Sequence, residues 1–454
     1  MSPPRPGHVG GALCGLLAVS VCTPLWAQEA SEGGTRSTIT TSIGVEAGRN
    51  LDLDPGMKDS SARLYGTLGY AYEMRTRQTL LSFDAEIQPQ TDDDSSDGLY
   101  PNASLKWVHE ASRTRFNFSA DYTEAKVTDQ SIGFDPDTGQ IIDYDESGTR
   151  IRRHVSAGVE GGLDMPLGYS LQFNRSELDY RDTPANSSNA PNTSTGVQAM
   201  LRANVSSMTQ LNLELAHQLY KSEGSSLRQR TTDMATLGVQ QRFDALTMFS
   251  LSLGSSRIET ERRNRPDETS DGLVVKFGLQ REDPLGLYRL DINQLQTENG
   301  GRRYFTLGRD RETAVGTFSG TLGVTKADEG STDWIGTLSY ETELPRDSLK
   351  VSMVRSLSTD DDGDDVVVTR ITGGVAHKLS DVNRLNFGLT ASSTEYPDRD
   401  KQRLDATVSY AHTLTQTVSL EAGVKLGLAK SSYEEDADSQ SLFLTLSRKF
   451  DFLQ

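Results

Sequence analysis

Apolar and polar residues alternate one by one along most of this chain, and that pattern limits its fold more than any other feature. Leu211-Asn212-Leu213-Glu214-Leu215 shows it, as do Phe116-Asn117-Phe118-Ser119-Ala120-Asp121-Tyr122 and Leu420-Glu421-Ala422-Gly423-Val424-Lys425-Leu426. A period of two sets one face of a strand against an apolar medium and the other against water. About twenty-two such segments follow one another, each long enough to cross a bilayer as a strand, which is the pattern of a transmembrane β-barrel. No apolar run reaches the length of a membrane-crossing helix. A barrel stays hydrophilic on average because only alternate residues face lipid.

The connections between segments fall into two alternating sets. One set is short, as in Arg75-Thr76-Arg77, Ala111-Ser112-Arg113, Asp244-Ala245, Asp283-Pro284-Leu285 and Thr413-Leu414-Thr415. The other is longer and rich in Asp, Gly, Ser and Asn: Asn50–Ser60, Gln88–Asp97, Lys126–Thr149, Arg181–Asn192, Ser222–Leu227 and Glu259–Ser270. Short turns on one side and long loops on the other describe an outer-membrane barrel with periplasmic turns and external loops. Both termini then lie on the turn side, so the strand number must be even. Parity is met if Arg302–Arg309 forms a short strand of its own, with Asn299-Gly300-Gly301 as a hairpin and Asp310-Arg311-Glu312 as a turn. The expected fold is all-β: a closed up-and-down antiparallel barrel of about twenty-two strands, with roughly sixteen to twenty-four as the bracket. Repeated short strands also build soluble solenoids, which is the rival architecture.

Residues 1–27 read as an export signal. Arg5 and His8 precede an apolar stretch, Gly11 to Val21, and Thr23-Pro24-Leu25-Trp26-Ala27 offers a small-residue cleavage site. Both cysteines, Cys14 and Cys22, fall inside it, so the exported chain is expected to lack disulfides and thiolate chemistry. Residues 28–36 read as a short periplasmic segment and 37–454 as the barrel. The final strand, about Asp438–Phe452, must pair with the first, about Ser37–Gly48, because an open edge in lipid leaves unpaired amides. Phe450-Asp451-Phe452 near the end resembles the signal read by the barrel assembly machinery.

The formal charge is −18, concentrated in Asp92-Asp93-Asp94, Asp143-Tyr144-Asp145-Glu146, Asp360-Asp361-Asp362-Gly363-Asp364-Asp365 and Glu434-Glu435-Asp436. Such a chain is a poor nucleic-acid binder. The clusters suit solvated loops, and carboxylates also suit hard cations that bridge to anionic surface lipid. Outer-membrane lipids, including lipopolysaccharide, are the expected surroundings.

Leu64, Leu68, Phe116, Phe118, Leu213, Leu215, Leu251, Leu253, Phe387 and Leu389 fall on the lipid-facing parity. Tyr70, Tyr72, Trp107, Phe249, Tyr288 and Tyr410 share it near the turn ends, where amphipathic rings form an interfacial girdle. The opposite parity is polar and of mixed sign: Arg63, Lys106, Arg115, Asp121, Glu160, Arg202, Glu214, Arg242, Lys276, Arg289, Arg370, Glu421 and Lys425. These predict a wet lumen rather than a packed core. Barrels this wide are usually plugged. The short stretch before strand one leaves no room for a plug domain, which argues against plug-gated uptake. Something must still narrow the lumen. The longest loop, Lys126–Thr149, carries Asp129, Asp135, Asp137, Asp143, Asp145 and Glu146 together with Ile132, Phe134, Ile141 and Ile142. It is the candidate constriction, with an ordinary surface loop as the alternative.

No HExxH, Gly-rich phosphate loop or GxSxG occurs, no cofactor is implied, and no His and carboxylate set has metal-site spacing. His154, Ser156 and Asn174 faintly resemble the apparatus of outer-membrane phospholipases. Their parity points them into the lumen, away from lipid substrate, so an enzyme is not expected.

Ile43-Gly44-Val45-Glu46, Asn50-Leu51, Tyr65-Gly66-Thr67-Leu68-Gly69-Tyr70 and Leu80-Leu81-Ser82-Phe83 resemble the exopolysaccharide- and exosortase-associated barrels of the β-barrel porin 2 type. The resemblance covers the first sixty or so residues after the export signal and implies a plugless Gram-negative outer-membrane barrel linked to surface polysaccharide. It carries no catalytic residue. Two functions stay open: a porin-like channel for hydrophilic solutes, and a structural or assembly element of a polysaccharide system.

Overall fold

The computed structural model describes residues 34–91, 98–126, 133–134, 141–142, 148–182, 190–223, 228–263, 266–297, 300–328, 332–359, 365–433 and 435–453. In them, 22 strands form one antiparallel sheet that closes on itself. The first is Gly34–Arg49 and the last Ala437–Leu453. Each strand pairs with its neighbour in the chain, and the first and last strands pair with each other. The described residues contain no helix and no plug domain. Thr114–Lys126 pairs with Thr149–Gly161, and between them in the chain Gly133–Phe134 and Ile141–Ile142 form a separate two-stranded ribbon. The export segment lies outside the described residues.

The seam runs in unbroken register from Arg36 opposite Leu453 to Arg49 opposite Gln440. Side chains tie it at both ends. Thr38 Oγ1 donates to Asp451 at 2.7 Å near the turn end, and Arg49 pairs with Asp438 near the loop end. The ring is expected from physics, since an open edge in hydrocarbon would strand a row of amides without partners.

Alternation is obeyed around the wall. Leu64, Leu68, Leu171, Leu213, Leu215, Leu253, Phe387 and Leu389 are all exposed on the convex face. At the turn ends the same face carries ring pairs, Tyr70 tilted against Phe83 at 6.3 Å and Phe249 edge-on to Phe277 at 5.4 Å between centroids. His377 and His412 also sit there, bonded to Asp347 and Asn383, each at 2.6 Å.

Several boundaries differ from the expectation. The short strand over 302–309 is a full strand, Gly300–Thr313. Asp310-Arg311-Glu312 is therefore ladder and not a turn; the turn is Ala314-Val315. Its charges obey the alternation too: Asp310 bonds Arg289 on the inside at 2.8 Å, while Arg309 stacks on Tyr288 outside. The first strand begins at Gly34 rather than Ser37. The loop placed at Glu259–Ser270 shrinks because the flanking strands run to Arg262 and from Glu268.

Two turns show why particular residues stand where they do. Asn50 takes φ 48, a region that Asn tolerates better than most side chains. Its amide accepts from the Asp54 amide and donates to the Asp54 carbonyl, both at 2.9 Å, and reaches the Asp438 carbonyl at 3.2 Å. It fastens the first loop to the seam. Gly286 takes φ 142 after the Pro284-Leu285 turn, where a Cβ would collide with the Asp310 carbonyl.

A closed sheet of this kind resists dodecyl sulfate until heated. We expect the membrane fraction to yield a band whose migration changes on boiling. A protein soluble after lysis without detergent would be incompatible with this fold in a membrane.

Candidate functional site

Concave curvature brings together side chains from strands that are not neighbours, and several such pairs meet on the inward-facing parity. Lys276 reaches Glu214 at 3.2 Å across two intervening strands. Glu214 also accepts from Gln198 at 2.8 Å and from Thr236 at 3.3 Å. Lys425 bonds Glu46 at 2.9 Å across the seam strand, and Ser441 donates to the same carboxylate at 2.5 Å. Arg202 meets Glu160 at 3.5 Å, Arg289 meets Asp310 at 2.8 Å, and Glu421 accepts from Ser409 at 2.5 Å. Arg115 pairs with Glu110 at 3.3 Å near the turn end. Lys106, Asp121 and Arg242 are exposed on this wall, and Arg370 is half-buried. Between the charges run hydroxyl and amide contacts: Ser119 with Ser156, Thr321 with Thr337, and Gln210 with Asn212. A wall of this kind holds water and small polar solutes and repels apolar ones.

The loop end of the lumen differs from its middle. Tyr220, Val366, Thr394 and Ser194 point inward there and have no solvent exposure at all. Val274 and Thr325 at 1% and Arg228 at 2% share that level. These inward side chains at the loop end are shielded from solvent, unlike those lower on the wall. Among the described residues its buried ionisable groups are mostly basic: Arg63, Arg228, Arg302 and Lys401, against Glu46 and the rim residue Glu124. Arg302 holds Asp365 through both carboxylate oxygens at 2.6 and 2.5 Å, and Arg63 meets Asp52 at 3.0 Å. The proposed constriction residues Asp129, Asp135, Asp137, Asp143, Asp145 and Glu146 lie outside the described residues.

His154 and Ser156 face the lumen and have different partners. His154 contacts Ser176 at 3.3 Å, and Ser156 contacts Ser119 at 2.7 Å. These contacts do not join His154 to Ser156, the pair singled out in the sequence.

One feature of the wall was not anticipated. On the convex face the apolar band ends well below the loop ends of several strands. Above Leu215 the outward row becomes His217, which bonds Asp233 at 2.7 Å; both are half exposed. Arg257 bonds Glu259 at 2.9 Å, and Arg153 meets Glu177 at 3.5 Å. The signal was present in the sequence as charges in phase with the leucines, in Leu213-x-Leu215-x-His217 and in Asp233-x-Ala235-x-Leu237.

No protein-family model matches the chain, and no curated protein matches its sequence. Solved structures match it in fold. The ferric-catecholate import receptor Fiu from E. coli K12, in its open form, superposes with a TM-score of 0.58 at 9% identity, covering 92% of this chain and 82% of that one. The FrpB iron transporter from Neisseria meningitidis (F3-3 variant) gives 0.54 at 9% identity with the same coverage. The alcaligin outer-membrane receptor FauA from Bordetella pertussis gives 0.52 at 9%, covering 91% and 76%. At these identities the likeness is one of architecture.

Proposed function

We propose that this protein is an integral barrel of the Gram-negative outer membrane that conducts hydrophilic solutes. One observation carries the reading. Inside a closed sheet of 22 strands, the wall from its middle to the turn end is polar and of both signs, with Lys106, Asp121 and Arg242 exposed to the lumen. Fiu, which shares this architecture, is an import receptor and FrpB a transporter, which fits a passage rather than a catalyst. We place the constriction at the acidic stretch 129–146, between the paired strand ends Lys126 and Thr149. Opposite charge favours that stretch lying against Arg63 and Arg228. The barrel assembly machinery and lipopolysaccharide are the partners this location implies.

Purified protein in planar bilayers is expected to give stepwise conductance that favours cations at low salt. Selectivity should weaken as salt shortens the reach of the carboxylates.

A second reading is a structural or assembly role in a surface-polysaccharide system. It is favoured by the dry outer lumen, where Tyr220 and Val366 have no exposure, and by the resemblance at residues 43–83. A folded barrel silent under all voltages would select it over the channel.

A further inference from the structure

The convex face is not smooth. A groove of about 730 Å³ lies across the strands Gly286–Thr297, Gly300–Thr313, Gly316–Ala327 and Thr332–Glu343. Two outward positions in it carry no side chain, Gly320 and Gly336, and leucines 307, 322 and 338 rise beside them. Trp334 closes the end nearer the loops. From Leu338 to Trp334 is four residues, about 13 Å of strand. That is close to the depth of one leaflet, half of a hydrocarbon core about 30 Å thick.

The end nearer the turns is basic, in a chain whose formal charge is −18. Arg281 stands opposite Tyr288 in register, and Tyr288 opposite Arg309. The Arg309 guanidinium lies 3.6 Å from the Tyr288 ring centroid and bonds Asp283 at 3.0 Å. Arg311 follows two residues later on the same face, opposite Phe318. Arg309 bonds Asp283, Arg311 lies near the same carboxylate, and Arg281 lies near Asp244 in the adjoining turn. The ring of Tyr288 sets this level at the membrane interface, where an amphipathic ring has its polar tip among headgroups.

We propose that this groove binds a glycerophospholipid with an anionic headgroup, taken from the leaflet on the turn side. It rests on the reading of the chain as a membrane-spanning barrel. The phosphate lies among Arg281, Arg309 and Arg311, whose forked donors match phosphate oxygens in pairs. One acyl chain fills the trough over Gly320 and Gly336 and ends against Trp334. The cations outnumber the local carboxylates, which favours a headgroup of net negative charge over a zwitterionic one.

Trp334 supplies the readout, since the chain has 3 tryptophans and Trp26→Phe with Trp107→Phe leaves it alone. This variant is reconstituted in phosphatidylcholine vesicles and titrated with acyl-brominated phosphatidylglycerol or, separately, acyl-brominated phosphatidylcholine. Bromine quenches indole on contact. Brominated phosphatidylglycerol is expected to quench Trp334 at a mole fraction on the order of tenfold lower than brominated phosphatidylcholine. The triple change Arg281→Gln, Arg309→Gln, Arg311→Gln removes that preference, and Arg281→Gln alone, at an exposed position, weakens it should the triple variant fail to fold. Gly320→Leu reduces quenching by both lipids. Equal quenching by the two lipids, or a preference unchanged by the arginine variants, overturns the site in a barrel that has inserted. Failure to insert at all overturns the membrane reading instead, and the site with it.

Discussion

Replacing residues 127–148 with an Asn-Gly turn is expected to raise single-channel conductance several-fold and to move the reversal potential toward anions. The flanking strands are ready for such a graft, because Lys126 already pairs with Thr149 and a two-residue turn suits that register. The removed stretch contains Asp129, Asp135, Asp137, Asp143, Asp145 and Glu146 and no Lys or Arg. What it leaves behind is the basic outer lumen of Arg63, Arg228, Arg302 and Lys401. Two effects therefore act together. A wider path passes more current, and a passage once lined by carboxylates becomes lined by guanidinium and ammonium groups. The sign of the change in reversal potential separates this from simple leakage through a damaged wall, which would shift selectivity toward none. A grafted barrel with the same conductance and reversal potential as the parent would place the constriction elsewhere.

Removing residues 437–454 is expected to abolish the folded state altogether. That strand supplies both neighbours of the seam, with Gly34–Arg49 on one side and Val418–Ser431 on the other. Without it, two rows of backbone amides face hydrocarbon, at several kcal/mol for each unsatisfied group. The milder Leu444→Pro removes one ladder donor from the same strand and should lower the urea midpoint without full loss. Band migration before and after boiling reports both. Because the seam joins residues hundreds of positions apart while all other pairings are local hairpins, closure should also be the slow step of refolding. A truncated chain that still migrates as a folded barrel would show that closure does not depend on this seam.

Much of the wall was legible because a leucine every second residue, as in Leu211, Leu213 and Leu215, marks one face plainly. Strand ends were less legible. Where a strand leaves hydrocarbon, both faces carry polar residues, so Glu259-Thr260-Glu261-Arg262 reads like a loop although it is ladder. The same ambiguity hid Asp310-Arg311-Glu312. Inward residues could be assigned by parity, but their partners could not. Lys276 meets Glu214 only because curvature brings together strands that are not neighbours, and alternation says nothing about curvature. Nor does it say how full the lumen is. Tyr220 and Val366 look like ordinary strand residues, and their complete burial depends on what lies across from them.

The charged outward row at the loop ends, from Arg153 and Glu177 through His217 and Asp233 to Arg257 and Asp271, implies a barrel that stands above the bilayer as a parapet. There, sheet meets water on the outside while its inside is dry. An exposed sheet rim ordinarily invites other strands to add to it, but a ring offers no free edge. The outer wall that a phage, an antibody or a neighbouring cell would meet beside the loops is therefore stiff. It is a palisade of paired strands braced by ion pairs.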